Sequence, residues 1–476
     1  VSTPVVLYRF TRDLRLEDHA GLAAAGALGE VLPVLIIDRH IEARVSRSPR
    51  RAAFFCAAVA ALDQALREAG ARLIVRRGVA GATLKSLARA CGATAVAWSA
   101  SYDGASAQSD ERLQSDLEEA GLRAIIVHDA PAIAPDETAA ARAIGGAGYR
   151  AFAPYFDVWR TLEAPSYEAP LLVRFASSEL HGEPLPLPNE FGANARPMLA
   201  SPQDAKETLA AFLADSAVQY SVAMNVASDD RTSHLSPHLS FGTISARHIV
   251  RATHYRLDDP FLLTEERISL RLFLRSVAMR DFFLQLGHFH QNLDDKPLQE
   301  KMRGFAFAKA HPALDAWRGG KTGYPLVDAG VRQLHETGWM HPHVRAVVAS
   351  FLCFDLGVDW RVGRDEWDRY LIEDDPALAV GNWQWIAGVG ADMAQYPRIY
   401  NPEKQRRRFD PNGAYCKRYI PELAHVPAAS LRAGGQSDGQ LALALFDEAA
   451  YARPVVEHET AAKDFLDRYR SYLGGG

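Results

Sequence analysis

Val5-Val-Leu-Tyr-Arg-Phe10 joins β-branched and aromatic side chains around a single charge, the composition of a strand buried on both faces. Thr11-Arg-Asp-Leu-Arg-Leu-Glu-Asp-His19 and an alanine-rich helical stretch follow it, and a second apolar strand over Val31 to Ile37 ends at Asp38-Arg39. Helix-period residues from Arg50 to Ala69 give way to a strand at Arg72 to Val75, a helix around Thr83 to Ala90 and a strand at Ala95 to Trp98. A helix from Ser109 to Ala120 and a strand from Ala124 to Val127 complete the series. Strands alternating with helices predict a doubly wound parallel sheet, an α/β domain over residues 1–129. No Gly-x-Gly-x-x-Gly follows the first strand, so the dinucleotide fingerprint is absent.

From about Ala130 to Pro202 the periodicity fails, and prolines, glycines and short polar runs such as Leu185-Pro-Leu-Pro-Asn189 read as a long linker over 130–203. Its aromatic segment Tyr149-Arg-Ala-Phe-Ala-Pro-Tyr-Phe156 predicts packing against a domain. Residues 204–476 carry helical spacing with almost no strand signal, and only Arg432 to Glu448 is weakly patterned. Six of the eight tryptophans lie in this all-α part, more aromatic surface than small packed helices ordinarily use.

A chain of 476 residues accommodates two or three domains, and its formal net charge of -5 argues against nonspecific coating of nucleic acid while leaving room for a local basic groove. No apolar run reaches the roughly 20 residues that span a bilayer, and no basic and apolar leader opens the chain, so a cytoplasmic location is expected. Cys56, Cys91, Cys353 and Cys416 are widely spaced, which signals neither a zinc site nor a disulfide framework, and no metal is expected.

Two stretches carry chemistry. Ala379 to Pro402 holds Gly381-Asn-Trp-Gln-Trp385, small residues and Arg398-Ile-Tyr-Asn-Pro402; rings beside glycines suit either a flat ligand held close to backbone or a tight helix junction. Thr232-Ser-His-Leu-Ser-Pro-His-Leu-Ser-Phe-Gly242 sets hydroxyls before a helical run that begins near Ser245, suited either to anionic oxygens or to helix capping.

With Tyr220, Lys321-Thr-Gly-Tyr-Pro-Leu-Val-Asp-Ala329, Thr337-Gly-Trp-Met-His341, Asp359-Trp-Arg361 and the opening Arg9-Phe-Thr-Arg-Asp-Leu-Arg-Leu16, these motifs resemble the photolyase/cryptochrome flavoproteins in order and spacing over nearly the whole chain. The resemblance implies an α/β domain joined by the linker to a helical domain that holds FAD. Carried over by position, Tyr220, Thr232, Ser233, Leu235 and Ser236 hold its phosphates and ribose, and Arg280, Trp339, Arg345, Glu373 and Asp375 surround the flavin and its sugar chain. Trp383 and Trp360 match the first two members of the family's tryptophan electron relay. The outer member falls at Phe307, which is not readily oxidised, so the relay stops early or diverts to Trp367 or Tyr370. Trp385 matches a wall on which a flipped base stacks.

The substrate cavity departs from the family. The glutamate and tryptophan of cyclobutane-dimer enzymes fall at Ser276 and Met279, and the asparagine, or the histidine of (6-4) enzymes, falls at Pro342, with Ala346 as its companion. Arg398 stands beside this cavity. Arg271, Arg275, Arg280, Lys404, Arg406, Arg407, Arg408, Lys417 and Arg418 suggest a DNA surface or, equally, a solvated basic face. The loop Ser99-Ala-Ser-Tyr-Asp-Gly-Ala-Ser106 lacks the Asn-Glu pair by which many relatives hold a folate, so the second, antenna chromophore is unknown. The resemblance therefore implies light-driven repair of pyrimidine dimers in DNA by a monomeric photo-lyase, with a cryptochrome-type photoreceptor, its signalling partner unknown, as the alternative.

Overall fold

The structure is a computed structural model that describes residues 3–141, 148–167, 173–177, 179–194, 198–391, 394, 396–431 and 451–474. The segment Arg432 to Glu448 lies outside the described residues. The chain packs as two compact units, one made of Val1–Val218, Ser233–Asp294 and Ile372–Leu378, the other of Gln219–Thr232, Asp295–Leu371 and Ala379–Gly476.

In the first unit, β1 (Val5–Phe10), β2 (Glu30–Ile37), β3 (Ile74–Arg77), β4 (Ala93–Ser99) and β5 (Arg123–Val127) form a parallel sheet in the order β3-β2-β1-β4-β5. β1 is central, which explains its apolar run, and alternation divides it between two cores. Val6, Tyr8 and Phe10 join the cluster that contains Phe54, Phe55 and Phe241, while Leu7 joins Val34, Trp98 and Leu113 on the other face. Pro33 is tolerated in β2 because the ladder to β3 begins only at Val34, and just upstream Val31 pairs instead with Phe175.

Several boundaries differ from the expected ones: the helix around Thr83 to Ala90 runs Ala80–Cys91 and the strand at Ala95 to Trp98 runs Ala93–Ser99, and two further differences have a visible cause. The third strand starts at Ile74 rather than Arg72, because Leu73 N is already held by the Asp63 carboxylate at 3.1 Å. The helix expected from Ser109 begins at Gly104, since Asp103 caps it by accepting from Ser106 N.

The linker region is anchored by the helix Thr264–Phe289. Asp281 accepts hydrogen bonds from Ala132 N (2.8 Å), Ile133 N (3.2 Å) and Trp159 Nε1 (2.9 Å), and Gln285 binds both backbone groups of Tyr149. Phe152, Tyr155 and Trp159 are buried, as their spacing predicts. Burial pushes the Asp281 carboxyl up to about 6, against the pull of Arg280 and these donors. A carboxyl whose folded pKa is raised favours the protonated native state, so its contribution to stability grows as pH falls through about 6 and is complete below the ordinary value near 4. Relative to Asp281→Asn, the native chain is expected to gain up to about 3 kcal/mol between pH 6.5 and 4. Urea unfolding of both proteins across that range checks this, and parallel pH profiles would refute it.

The second unit is helical. Its motif Lys321–Ala329 is a turn built around Asp328, which accepts from Thr322 N (2.7 Å), Thr322 Oγ1 (2.6 Å), Gly323 N (3.0 Å) and Tyr451 OH (2.8 Å). No helix among the described residues is long and apolar enough to cross a membrane.

Candidate functional site

Strand order reverses at β1, with β2 on one side and β4 on the other, and the loops leaving the carboxyl ends of these strands diverge to leave a crevice. Beneath it lies a buried polar network. Tyr8 OH and Ser99 Oγ donate to Asp13 Oδ2 at 2.5 and 2.6 Å, and His19 Nε2 stands 3.3 Å from the same oxygen. Burial opposes the Asp13 charge, yet its hydrogen bonds and the His19 charge hold its pKa below the ordinary value. Asp129 receives both Arg15 (2.7 Å) and Arg247 (2.7 Å) as well as Ala20 N (2.9 Å), so each of its oxygens is satisfied in spite of 2 % exposure. The loop after β1 also lies against Gly242, whose φ of +66° and whose space, with Arg12 O only 2.2 Å from where a Cβ would stand, require glycine.

Above this floor opens a cavity lined by Arg12, Asp38, His40, Arg44, Ser101 and Tyr102 from the sheet loops and by Leu239, Arg280, Asp374 and Asp375 from later segments. Its wall is an ion cluster. Arg44 grips Asp374 through Nη2 (2.5 Å) and Nε (2.9 Å) and reaches Asp103 at 3.3 Å, while Arg12 stands 3.7 Å from both aspartates. Burial lowers the Arg12 pKa, and neighbouring Arg44 adds to that effect. Sequence reasoning missed Asp374, Arg44 and Arg12; some 330 residues separate the Arg44–Asp374 pair, and no spacing rule connects them.

This cavity takes in the Ser99–Ser106 loop and two of the expected cofactor residues. Arg280 donates to Ala130 O (2.8 Å) and Leu239 O (3.3 Å) and lies 3.6 Å from Asp375, while its Nε is buried without a hydrogen-bond partner. Glu373 stands next in the chain to Asp374, its carbonyl accepting from Arg51 at 3.0 Å. Ser233 and Ser236 are half-buried and Leu235 is buried; a short helix, Ser236–Phe241, starts inside the hydroxyl-rich motif, and Ser245 caps the next helix as its position predicts.

In the second unit, Tyr220 opens the helix Tyr220–Ala223, and the segment after it is tied down by Ala227 N on Phe409 O at 2.8 Å. Thr232 Oγ1 is buried without a hydrogen-bond partner. Trp339 N is fixed by Thr337 Oγ1 at 3.1 Å, and Arg345 Nε donates to Met340 O at 2.8 Å.

The tryptophans expected to form a relay fall here too. Trp360, Gly363 and Trp367 occupy positions i, i+3 and i+7 of the helix Trp360–Trp367 and so share one face. That face meets Trp383: a Cβ on Gly363 would come within 2.2 Å of Trp383 Cη2, and the Trp367 ring lies 4.5 Å from the Trp383 ring at 56°. Trp383 is 4 % exposed and Trp360 fully buried beneath the guanidiniums of Arg361 (4.5 Å) and Arg364 (5.4 Å). Phe307 lines a surface pocket with Trp360 and packs on Phe305 at 5.0 Å. Tyr370 stacks on His335 at 4.1 Å.

Around the expected substrate cavity, Ser276, Pro342 and Arg398 are exposed, and Met279 and Trp385 are half-buried. The basic surface is smaller than expected. Arg280 and Arg406 are buried, Arg406 binding Asp410 O at 3.0 Å, and Lys417 is half-buried; Arg271, Arg275, Lys404, Arg407, Arg408 and Arg418 are exposed, with Arg275 packing over Phe152 at 4.7 Å. Guanidinium stems find apolar partners that composition alone does not reveal.

Comparison with known proteins agrees with this geometry. Residues 6–171 match the DNA photolyase family, and residues 273–471 match the FAD binding domain of DNA photolyase. The deoxyribodipyrimidine photo-lyase of Halobacterium salinarum is 33% identical, the alignment covering 98% of this chain and 99% of that protein. Cryptochrome-1 of Arabidopsis thaliana is 32% identical over 88% of this chain and 63% of its own length. Among solved structures, a class III photolyase from Agrobacterium tumefaciens superposes with a TM-score of 0.87 at 28% identity, covering 100% of this chain and 98% of that one.

Proposed function

The chain belongs to the photolyase/cryptochrome family, and from that premise we propose that it is an FAD-dependent deoxyribodipyrimidine photo-lyase, which uses blue light to return UV-induced pyrimidine dimers in DNA to monomers. The observation that carries this reading is the end-to-end match to a protein of that name. The donor chemistry fits the cofactor: Thr232 Oγ1 and Arg280 Nε are buried donors with no partner of their own, suited to anionic or carbonyl oxygens of FAD. Tyr220, Ser233, Leu235, Ser236, Trp339, Arg345, Glu373 and Asp375 complete the proposed set. When bound and reduced, FAD would supply light-driven one-electron chemistry to the dimer, with no net oxidation or reduction of the substrate. Trp383 would be the residue that relays an electron from outside to the bound cofactor. Trp385 offers a stacking face to a base extruded from the duplex, and Arg398 offers a cation to the adjacent phosphates.

Ser276, Met279, Pro342 and Ala346 supply neither a carboxylate nor a stacking indole, and these four residues favour the rival reading, a cryptochrome-type photoreceptor with little repair. One assay separates the two. Illumination of the reduced protein with a dimer-containing oligonucleotide is expected to restore thymine absorbance. No recovery with either a cyclobutane or a (6-4) lesion would sink the repair reading.

A further inference from the structure

Outside the crevice, the first unit gathers three potential ligands from segments far apart in sequence. His128 follows β5, Asp136 lies in the helix Pro135–Ala140, and His288 sits in the last turn of Thr264–Phe289. One ligand atom of each lies within 4.8 Å of the others. Asp136 spans the two rings: its Oδ2 stands 3.6 Å from His128 Nε2, and its Oδ1 3.6 Å from His288 Nε2. Those separations are too long for hydrogen bonds. They are close to what a bound cation imposes, because ligand atoms at roughly 2.0–2.1 Å from a tetrahedral zinc stand roughly 3.4 Å apart.

The groups packed around the two imidazoles point the same way. Tyr102 OH lies 2.8 Å from His128 Nδ1. With Nδ1–H donating to that hydroxyl, the Nε2 lone pair faces Asp136, the tautomer a metal ligand needs. The His128 and His288 rings meet edge to face at 5.0 Å, and Phe289 supports His288 at 4.8 Å, so neither imidazole swings freely. His128 is 23% exposed, His288 30% and Asp136 69%, which leaves both an entry path and an open coordination position for water.

We propose that His128, Asp136 and His288 form a site for a divalent transition metal of the zinc type, which clamps the segment after β5 to the end of the helix Thr264–Phe289. Two imidazole nitrogens and one carboxylate select borderline cations such as Zn²⁺ or Co²⁺ over Mg²⁺ and Ca²⁺, which prefer oxygen-only shells. Widely spaced cysteines carry no metal signal in the sequence, and these histidines stand 160 positions apart, so only the fold brings the set together.

Zn²⁺ titration of the intact, tag-free chain against a fluorescent chelator, with Mg²⁺ in excess, is the test. One equivalent is expected to bind and to raise the melting temperature. Tyr102→Phe is expected to weaken binding about 10- to 100-fold, and His288→Gln and the exposed Asp136→Asn by more. Co²⁺ loaded in place of zinc is expected to give visible absorption bands that vanish in His128→Gln/His288→Gln. Bands that persist in that double variant, zinc affinity unchanged in Asp136→Asn, or no zinc bound in the presence of Mg²⁺, would each overturn the site. None of these readouts depends on FAD or on repair, so the site fails or stands independently of the proposed activity.

Discussion

Trp383→Phe is expected to leave the bound flavin oxidised under blue light, even with an external reductant in excess, while the protein still folds and binds the cofactor. Trp383 is 4 % exposed and packs against Gly363 and Trp367, so the smaller phenylalanine ring leaves a void that costs some stability while it removes the oxidisable indole. The next step outward is where this chain differs from the family pattern. Phe307, at the expected outer position, offers no readily oxidised ring beyond Trp360. Trp360 also lies under two guanidiniums, and a unit charge at 4.5 Å opposes a ring cation by about 4 kcal/mol at an effective dielectric constant of 20. Asp359 and Asp365, at 3.0 and 2.9 Å from those arginines, offset part of that. Trp367 touches the Trp383 ring directly at 4.5 Å. Flavin photoreduction followed by absorbance should therefore fall further in Trp367→Phe than in Trp360→Phe. Undiminished photoreduction in Trp383→Phe would remove the relay altogether, and a larger loss in Trp360→Phe would return the path to the family's usual course.

Arg247→Met is expected to destabilise the first unit by about 3–5 kcal/mol, the cost of removing one of the two guanidiniums that neutralise the buried Asp129 and leaving Arg15 as its remaining cation. Arg247 is 1% exposed; its Nη2 donates to Asp129 Oδ1 and to Asp18 O, each at 2.7 Å, and its Nη1 donates to Asp129 O at 2.8 Å. Burial works against the charge on Asp129, but Arg15, His19 and Arg247 together hold its carboxyl far below the usual range. A depressed pKa contributes stability that is present above the ordinary carboxylate value and lost only as pH falls below it, so the effect of Arg247→Met should be fully visible at pH 7. Urea unfolding followed by circular dichroism measures it. A loss under about 1 kcal/mol would place the pair with surface ion pairs, despite its burial.

The α/β architecture was legible because its signals are local. Val31–Ile37 is apolar through its length and Val5–Phe10 is interrupted only by Arg9, the pattern of strands covered on both faces. The capping residues Ser245 and Asp38 mark helix starts within a few positions of the groups they bind. The helix start at Gly104 was less readable, since Asp103 serves both as its cap and as a partner of Arg44.

What the sequence by itself determined is the family, the alternation of strands and helices, and which residues are candidates to hold FAD, because order and spacing along the chain carry all three. Tertiary structure alone decided that Trp367 rather than a more distant ring meets Trp383, that Arg280 and Arg406 point into the protein, and that His128 and His288 share one carboxylate. The physical reason is range. Strand pleat and helix pitch are written in neighbours a few residues apart, whereas ion pairs, ring contacts and metal sites form between side chains that only the packed backbone brings within a few ångströms.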